Sequence, residues 1–257
     1  LGLGLVHGGK GGIIVNDTTA AARVQAGTLA GGFLGAALAT EGVRFRLNGC
    51  ASDGSVRSLG CAGGFAGSIT GGSLCCCEAK FSRVKGDQAG GFAAALANCR
   101  VEDSIAVGVL EALEAEHAAG GFAACIAETS LMRCCFAGAL SAAGPAGGLV
   151  GLAREGNGPS QAASCFVLTG KLVAGTPPVR RILAAGDAAL ANNYALASFA
   201  LTIQGEAVEP AKIGPDRPDG GSLARTELEG VLRALGYNTK FWDLTTLRHT
   251  GRPMLRR

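Results

Sequence analysis

The chain has 257 residues; 42 are glycine, the 48% apolar fraction leans on alanine, and charged and aromatic residues supply only 17% and 5%. Glycine and alanine bring little side-chain volume, so a thin core repeated along an axis is easier to build than one thick core; the glycines lack the Gly-X-Y period of collagen, and the regular Phe, Leu and Val argue against disorder. The net charge of +3 comes without a basic stripe interleaved with aromatics, which argues against a nucleic-acid partner.

In chain order, residues 1–10 read as a lead-in. The start at Leu1, with neither Met nor a charged-then-apolar leader, reads as a processed product or an excised segment. Gly8-Gly9-Lys10-Gly11-Gly12 lacks the Walker spacing and its Ser/Thr, and Gly2-Leu3-Gly4 lacks the third glycine of a dinucleotide loop. No cofactor is expected.

Residues 11–205 carry a repeat. Ala30-Gly31-Gly32-Phe33, Ala62-Gly63-Gly64-Phe65, Ala89-Gly90-Gly91-Phe92, Ala119-Gly120-Gly121-Phe122 and Ala146-Gly147-Gly148-Leu149 place their last residues 32, 27, 30 and 27 apart, and Gly11-Gly12-Ile13 reads as a degenerate earlier copy. Such a period with variable insertions marks a solenoid. Between the copies apolar residues alternate: Val43, Phe45 and Leu47 around Arg44 and Arg46; Phe65, Gly67 and Ile69 before a Gly71-Gly72 turn; Ile105, Val107 and Val109. Helical repeats would need apolar spacings of three and four and far less glycine. The expectation is an all-β chain: a right-handed parallel β-helix (β-solenoid) over 11–205, with a small C-terminal α/β capping segment over 206–257. The Gly-Gly pair is expected at a sharp corner where glycine reaches positive φ. Phe33, Phe65, Phe92, Phe122 and Leu149 are expected to stack inside, about 4.8 Å apart.

The ten cysteines show no CxxC, and with only His7, His117 and His249 no zinc template fits, so no metal site is expected. Leu47-Asn48-Gly49-Cys50, Leu96-Ala97-Asn98-Cys99 and Leu131-Met132-Arg133-Cys134 share one phrase, continued by Leu190-Ala191-Asn192-Asn193-Tyr194 with a larger residue. The phrase reads as a strand entering the core with a buried, reduced Cys as small filler. Neighbouring coils leave room for one or two disulfides. In an extracellular protein, so many free thiols imply a reducing setting. Ser58–Cys77 and Cys134–Ala153 each run twenty residues without a charge, yet their glycines and the shared motif make them repeat units, not membrane spans.

Pro210 to Asp219 reads as a loop in which Asp216 and Asp219 form turns. Ser222 can cap a helix running to Leu235, with Leu228, Val231, Leu232 and Leu235 on one face and Gly236 at its end. Phe241–Leu244 and Arg252–Leu255 are strand candidates. A solenoid end exposes unpaired strand edges, so Leu228, Val231, Leu232, Leu235 and Trp242 are read as its cap. The functional alternative is a sugar-stacking Trp242.

No Gly-x-Ser-x-Gly elbow, calcium nonapeptide or threonine ladder is present. Glu111, Glu114 and Glu116, before His117, form the strongest acidic cluster, and Glu102-Asp103 could supply a second carboxylate for general acid–base work. The alternative function is therefore a carbohydrate-active β-helix enzyme, a polysaccharide lyase or hydrolase, using carboxylates near Glu102–Glu116. The bland reading of that cluster is a solvated loop.

The blocks GGFLG (Gly31–Gly35), GGFAG (Gly63–Gly67) and GGLVG (Gly147–Gly151), with Asn-Cys or Asn-Tyr phrases between them, resemble the GLUG-type repeats of large bacterial surface proteins. These include adhesins and regions attached to secreted proteases. Ala94 and Ala124 depart from the closing glycine. The resemblance covers residues 11–205 and implies a β-helical rod at the bacterial cell surface or outside the cell. It does not single out a ligand. With no constellation of nucleophile, base and orienter in the chain, the expected function is a non-enzymatic structural or adhesive module without catalytic residues, and the expected partner a host or surface glycan or protein.

Overall fold

The computed structural model describes residues 6–7, 12–39, 45–168 and 170–256. Val43 and Gly8 to Gly11 lie outside them. Each coil adds short strands to three parallel sheets, and about seven coils stack into a solenoid. Sheet A holds the strands that follow each Gly-Gly-Phe block, such as Ala66–Cys75 and Ala93–Glu102; sheet B holds strands such as Glu78–Gly86 and Ile105–Ala112; sheet C holds the brief Ala-Gly strands themselves. Parallel pairing begins at Val6–His7, which lies beside Ala37 and Leu38, and runs to Gly221–Leu223 beside Tyr194–Leu196. It therefore extends past both boundaries expected from the repeat.

The repeat block builds the core. Rings of Phe33, Phe65, Phe92 and Phe122 stack with centroids 4.8, 4.7 and 4.7 Å apart, and Leu149 is fully buried in the same column. The glycines before them are required, but not for the expected reason. None of Gly31, Gly32, Gly63, Gly64, Gly90, Gly91, Gly120, Gly121, Gly147 and Gly148 adopts a positive φ. Space decides instead. A Cβ on the first glycine of each pair would lie 1.8–1.9 Å from the carbonyl oxygen three residues on, and one on the second 2.0–2.3 Å from a carbonyl of the next coil. Side chains are excluded because consecutive coils touch through backbone here.

Positive φ is used at other corners. Asp17, Gly49, Cys76, Asp103, Arg133, Ser164 and Asn192 succeed one another from coil to coil between sheets A and B, all left-handed. The next residue turns inward in all but the first of these coils: Cys50, Cys77, Ser104, Cys134, Cys165 and Asn193 are buried, whereas Thr18 is exposed. Here small hydrogen-bonding side chains satisfy the bend. The Cys134 Sγ–H reaches the carbonyls of Met132 and Val101, and Ser104 Oγ–H that of Glu102. Asn193, not Tyr194, continues this column, and its amide bonds the Cys165 N–H and the Ala162 carbonyl. Cys99 belongs to a second corner inside sheet A, with Thr129 and Ser160 as its successors.

The C-terminal segment departs from the cap that the sequence led us to expect. A short helix α1 (Leu228–Ala234) ends at Gly236 (φ 84), followed by a second, α2 (Leu247–Thr250). Trp242–Asp243 pairs antiparallel with Met254–Leu255. Ser222 is no helix cap; it lies in the last strand of sheet B, and Glu227 precedes α1. Leu228, Leu232 and Trp242 are buried, with Val231 and Leu235 packed beside them. Their partners are Ile105, Cys135, Ala137, Phe166, Leu168 and Leu196, which form the outer face of sheet B. From Leu228 onward the segment thus lies along the flank of four coils, away from the open edge. Ile105 and Val107 accordingly face outward into this layer, while Ala106 and Leu110 fill the interior.

The edge is closed by the Pro-rich loop. In each coil the N–H of the Phe and of the residue after it both donate to the corresponding Phe carbonyl one coil on. Ile182 takes the sixth place in this column, and the Pro218 carbonyl stands in for the seventh by accepting from Ile182 and Leu183.

Candidate functional site

The acidic residues singled out by sequence do not converge. Glu102 pairs with Arg100 (Nε to Oε1 2.6 Å) at a corner. Asp103, next to it, is buried, and its carboxylate takes two bonds from Arg133 (2.7 and 2.8 Å) and one from Trp242 Nε1 (2.9 Å). This carboxylate holds the Arg133 guanidinium above its ordinary value. Glu111 stands near the other end of Ile105–Ala112, so eight residues of extended chain place it roughly 26 Å from Asp103. A glycosidase pair works at about 5 to 9.5 Å. Glu114, Glu116 and His117 are exposed in the turn that follows. Trp242 has no exposed surface, which overturns the sugar-stacking alternative.

Asp216 and Asp219 differ sharply. Asp216 accepts from the Asn192 N–H at the surface. Asp219 is fully buried and receives the N–H groups of Ala211, Lys212 and Arg181 and the Arg180 guanidinium. The Arg181 side chain, also buried, donates to the carbonyls of Asp219 and Gly220. Burial pulls its guanidinium below the ordinary value, opposed by the Asp219 charge. Arg180-Arg181-Ile182 occupies the place of a sixth repeat block, Arg180 pairing in register with Gly147, and on it the Pro-rich loop replaces the next coil.

Among the described residues no three His, Cys, Asp or Glu come close enough to hold a metal ion, and no helix is long and apolar enough to cross a membrane. Ser58–Cys77 and Cys134–Ala153 form coil strands. All ten cysteines are free thiols, seven of them buried. Cys75 and Cys76 are half-buried with their sulfurs 3.3 Å apart, and the Cys76 hydrogen bond draws the Cys75 thiol below its ordinary value.

A concentrated surface charge lies on the outer face of sheet B. The register stacks Arg23, Ser55 and Arg83 in one outward column and Gln25, Arg57, Lys85 and Glu111 in the next. All of these but Glu111 line a groove of about 200 Å³. Glu111 is bound by Lys85 Nζ at 2.6 Å and approached by Arg83 at 3.2 Å, and the Lys85 bond chiefly lowers its carboxyl.

No protein-family model matches the sequence, and no curated protein matches it. Among solved structures, the crystal structure of a "putative immunoglobulin A1 protease" from Bacteroides ovatus is similar, with a TM-score of 0.72 and 18% identity over 95% of this chain and 75% of that one. The likeness is one of fold. It bears on the coils and says nothing about chemistry at Glu102, Glu111 or Asp219.

Sequence reasoning missed the Arg181–Asp219 plug, the Asp103–Trp242 contact and the basic groove. The last two join residues 139 positions apart or on different coils, which only the coil register brings together. A signal for the plug existed: Arg180-Arg181-Ile182 follows Leu149 by 33 residues, one further period.

Proposed function

We propose that the chain is a non-enzymatic structural or adhesive module of a bacterial surface protein, built from GLUG-type repeats and working outside the cell. The observation that supports this reading is the rod: the repeated, in-register blocks Gly31 to Leu149 spend their side chains on stacking, while sheet B presents outward columns at regular spacing. The carboxylates that an enzyme would pair stand at opposite ends of one strand.

The test joins a glycan array with measurement of new reducing ends on the same polysaccharides, alongside antibody accessibility on intact source cells. Expected are surface labelling and no release of sugar ends. Turnover of any polysaccharide that Glu111→Gln or Asp103→Asn abolishes would replace this reading with the carbohydrate-active one.

A further inference from the structure

Like charges directly opposite on neighbouring strands destabilise a sheet. Arg57 and Lys85 are paired in register one coil apart, and Arg23 and Arg83 flank them in the adjoining column, two residues away along the strand. Of the described carboxylates on this face, Glu111 is engaged by Lys85 and Arg83 at one end, and Asp53, in the column beyond Arg23 and Arg83, is paired with Lys80. Among the described residues neither Arg23 nor Arg57 has a carboxylate within ion-pairing distance, and both are exposed. The four cations therefore form a concave strip with a surplus of positive charge at the end remote from Glu111.

We infer that this groove binds a linear anionic polysaccharide, its uronate or sulfate groups held by Arg23, Arg57, Arg83 and Lys85. Three features select this ligand class. Planar guanidinium groups suit carboxylate and sulfate oxygens bidentately. Gln25 and Ser55 stand between the cations and offer hydrogen bonds to hydroxyls. The lining holds no aromatic ring for bases to stack on, which sets it apart from single-stranded nucleic-acid grooves. A second opening of the same strip, lined by Gln25, Ala26, Gly27, Arg57, Ser58 and Leu59, extends it around the corner toward sheet C. A chain longer than one or two sugars thus has room to continue. This inference rests on the adhesive reading above and names its ligand class.

The experiment is calorimetric titration of the full chain with a sulfated hexasaccharide, a galacturonate hexasaccharide and a neutral glucan hexasaccharide, at several salt concentrations. Binding of at least one acidic sugar, weakening as salt rises, is expected, with none for the neutral one. Arg23→Gln together with Arg57→Gln should weaken it about tenfold, each exposed pair contributing a factor of up to about five. Glu111→Gln should strengthen it, and Arg225→Gln, on the far C-terminal segment, should leave it unchanged. Circular dichroism checks that each variant keeps its sheet. Equal binding by wild type and the Arg23/Arg57 variant, equal binding of the neutral sugar, no binding of either acidic sugar, or tighter binding of a single-stranded oligonucleotide of the same charge would each overturn the inference. Release of reducing ends is read separately and would overturn the non-enzymatic reading without altering these isotherms.

Discussion

Trp242 is the single tryptophan and sits wholly inside the flank layer, so its emission reports whether that layer is docked. The perturbation that addresses the docking is Asp103→Asn. Asp103 occupies a left-handed corner (φ 45), a conformation asparagine accepts as readily, so the coil backbone keeps its shape. Asparagine also keeps an acceptor for Trp242 Nε1. What it removes is the charge that takes two bonds from Arg133. Hydrogen bonds to charged groups contribute about 1.5–3 kcal/mol and neutral ones about 0.5–1.5. Arg133 keeps 21% of its side chain in water, which softens the loss, so about 2 kcal/mol is expected. That corresponds to a roughly 30-fold rise in the undocked population. Denaturant titration followed by tryptophan emission should show an earlier transition in the variant, while far-UV circular dichroism of the coils moves little. Coincident shifts in both signals, or no shift in either, would refute the argument that the flank layer undocks as a unit held by this carboxylate.

The glycine pair gives a sharper contrast. Gly64→Ala, whose Cβ would meet the Gly91 carbonyl at 2.1 Å, should cost about 3 kcal/mol or more in thermal unfolding, whereas Gly27→Ala, with nothing within 4 Å, should stay within about 0.5 kcal/mol. Asp219→Ala strips four bonds from a buried site and leaves Arg181 beside an opened edge; a loss of about 3–5 kcal/mol and end-to-end association by light scattering are expected. Alkylation of the native protein should reach Cys61, Cys75 and Cys76 only, with burial pushing Cys99 up to about 12 and Cys134 well above its ordinary value. Of these three thiols only Cys75 is lowered, by its hydrogen bond from Cys76, so its thiolate forms before those of Cys61 and Cys76 as pH rises, and mass spectrometry should find it modified before them.

Most of the rod was legible because its signal is local and repeated. Five blocks in register announce a coil, alternation around Phe45 and Leu47 announces strands, and both survive in the structure with Phe45 and Leu47 buried. The reason for the glycines was not legible, since a residue chosen for positive φ and one chosen for backbone contact look identical in a sequence. The direction of a strand's apolar face was not legible either. Ile105, Val107 and Val109 alternate as cleanly as any inward set, yet a period of two fixes only that two faces differ. Which face is inside depends on what covers the other, and here that is a segment more than a hundred residues away. The acidic cluster looked convergent because Glu102 and Glu111 are close in number, but an extended strand converts that closeness into distance.

A solenoid coil touches only its neighbours, so stability along such a rod is close to a sum of adjacent interfaces and local opening at either end is inexpensive. The flank layer changes that arithmetic. From its last strand beside Tyr194–Leu196, the chain turns back so that Tyr237 bonds the Ser164 carbonyl and Trp242 reaches Asp103, tying strands four coils apart into one apolar layer. Coils between Asp103 and Leu223 can then open only if this layer lets go. Coils before it, which carry Arg23, Arg57 and Arg83, lie outside this layer and are held by their stacked rings, backbone ladders and local core and ion-pair contacts. The molecule thus divides into a braced C-terminal half and an unbraced N-terminal half. The basic groove lies in the unbraced half on the outer face of sheet B, in the columns that continue to Glu111, whereas the layer covers the columns of Ile105 and Val107. The burial of Phe166 follows from the layer, and the groove lies clear of it by position along the strands as well as along the rod.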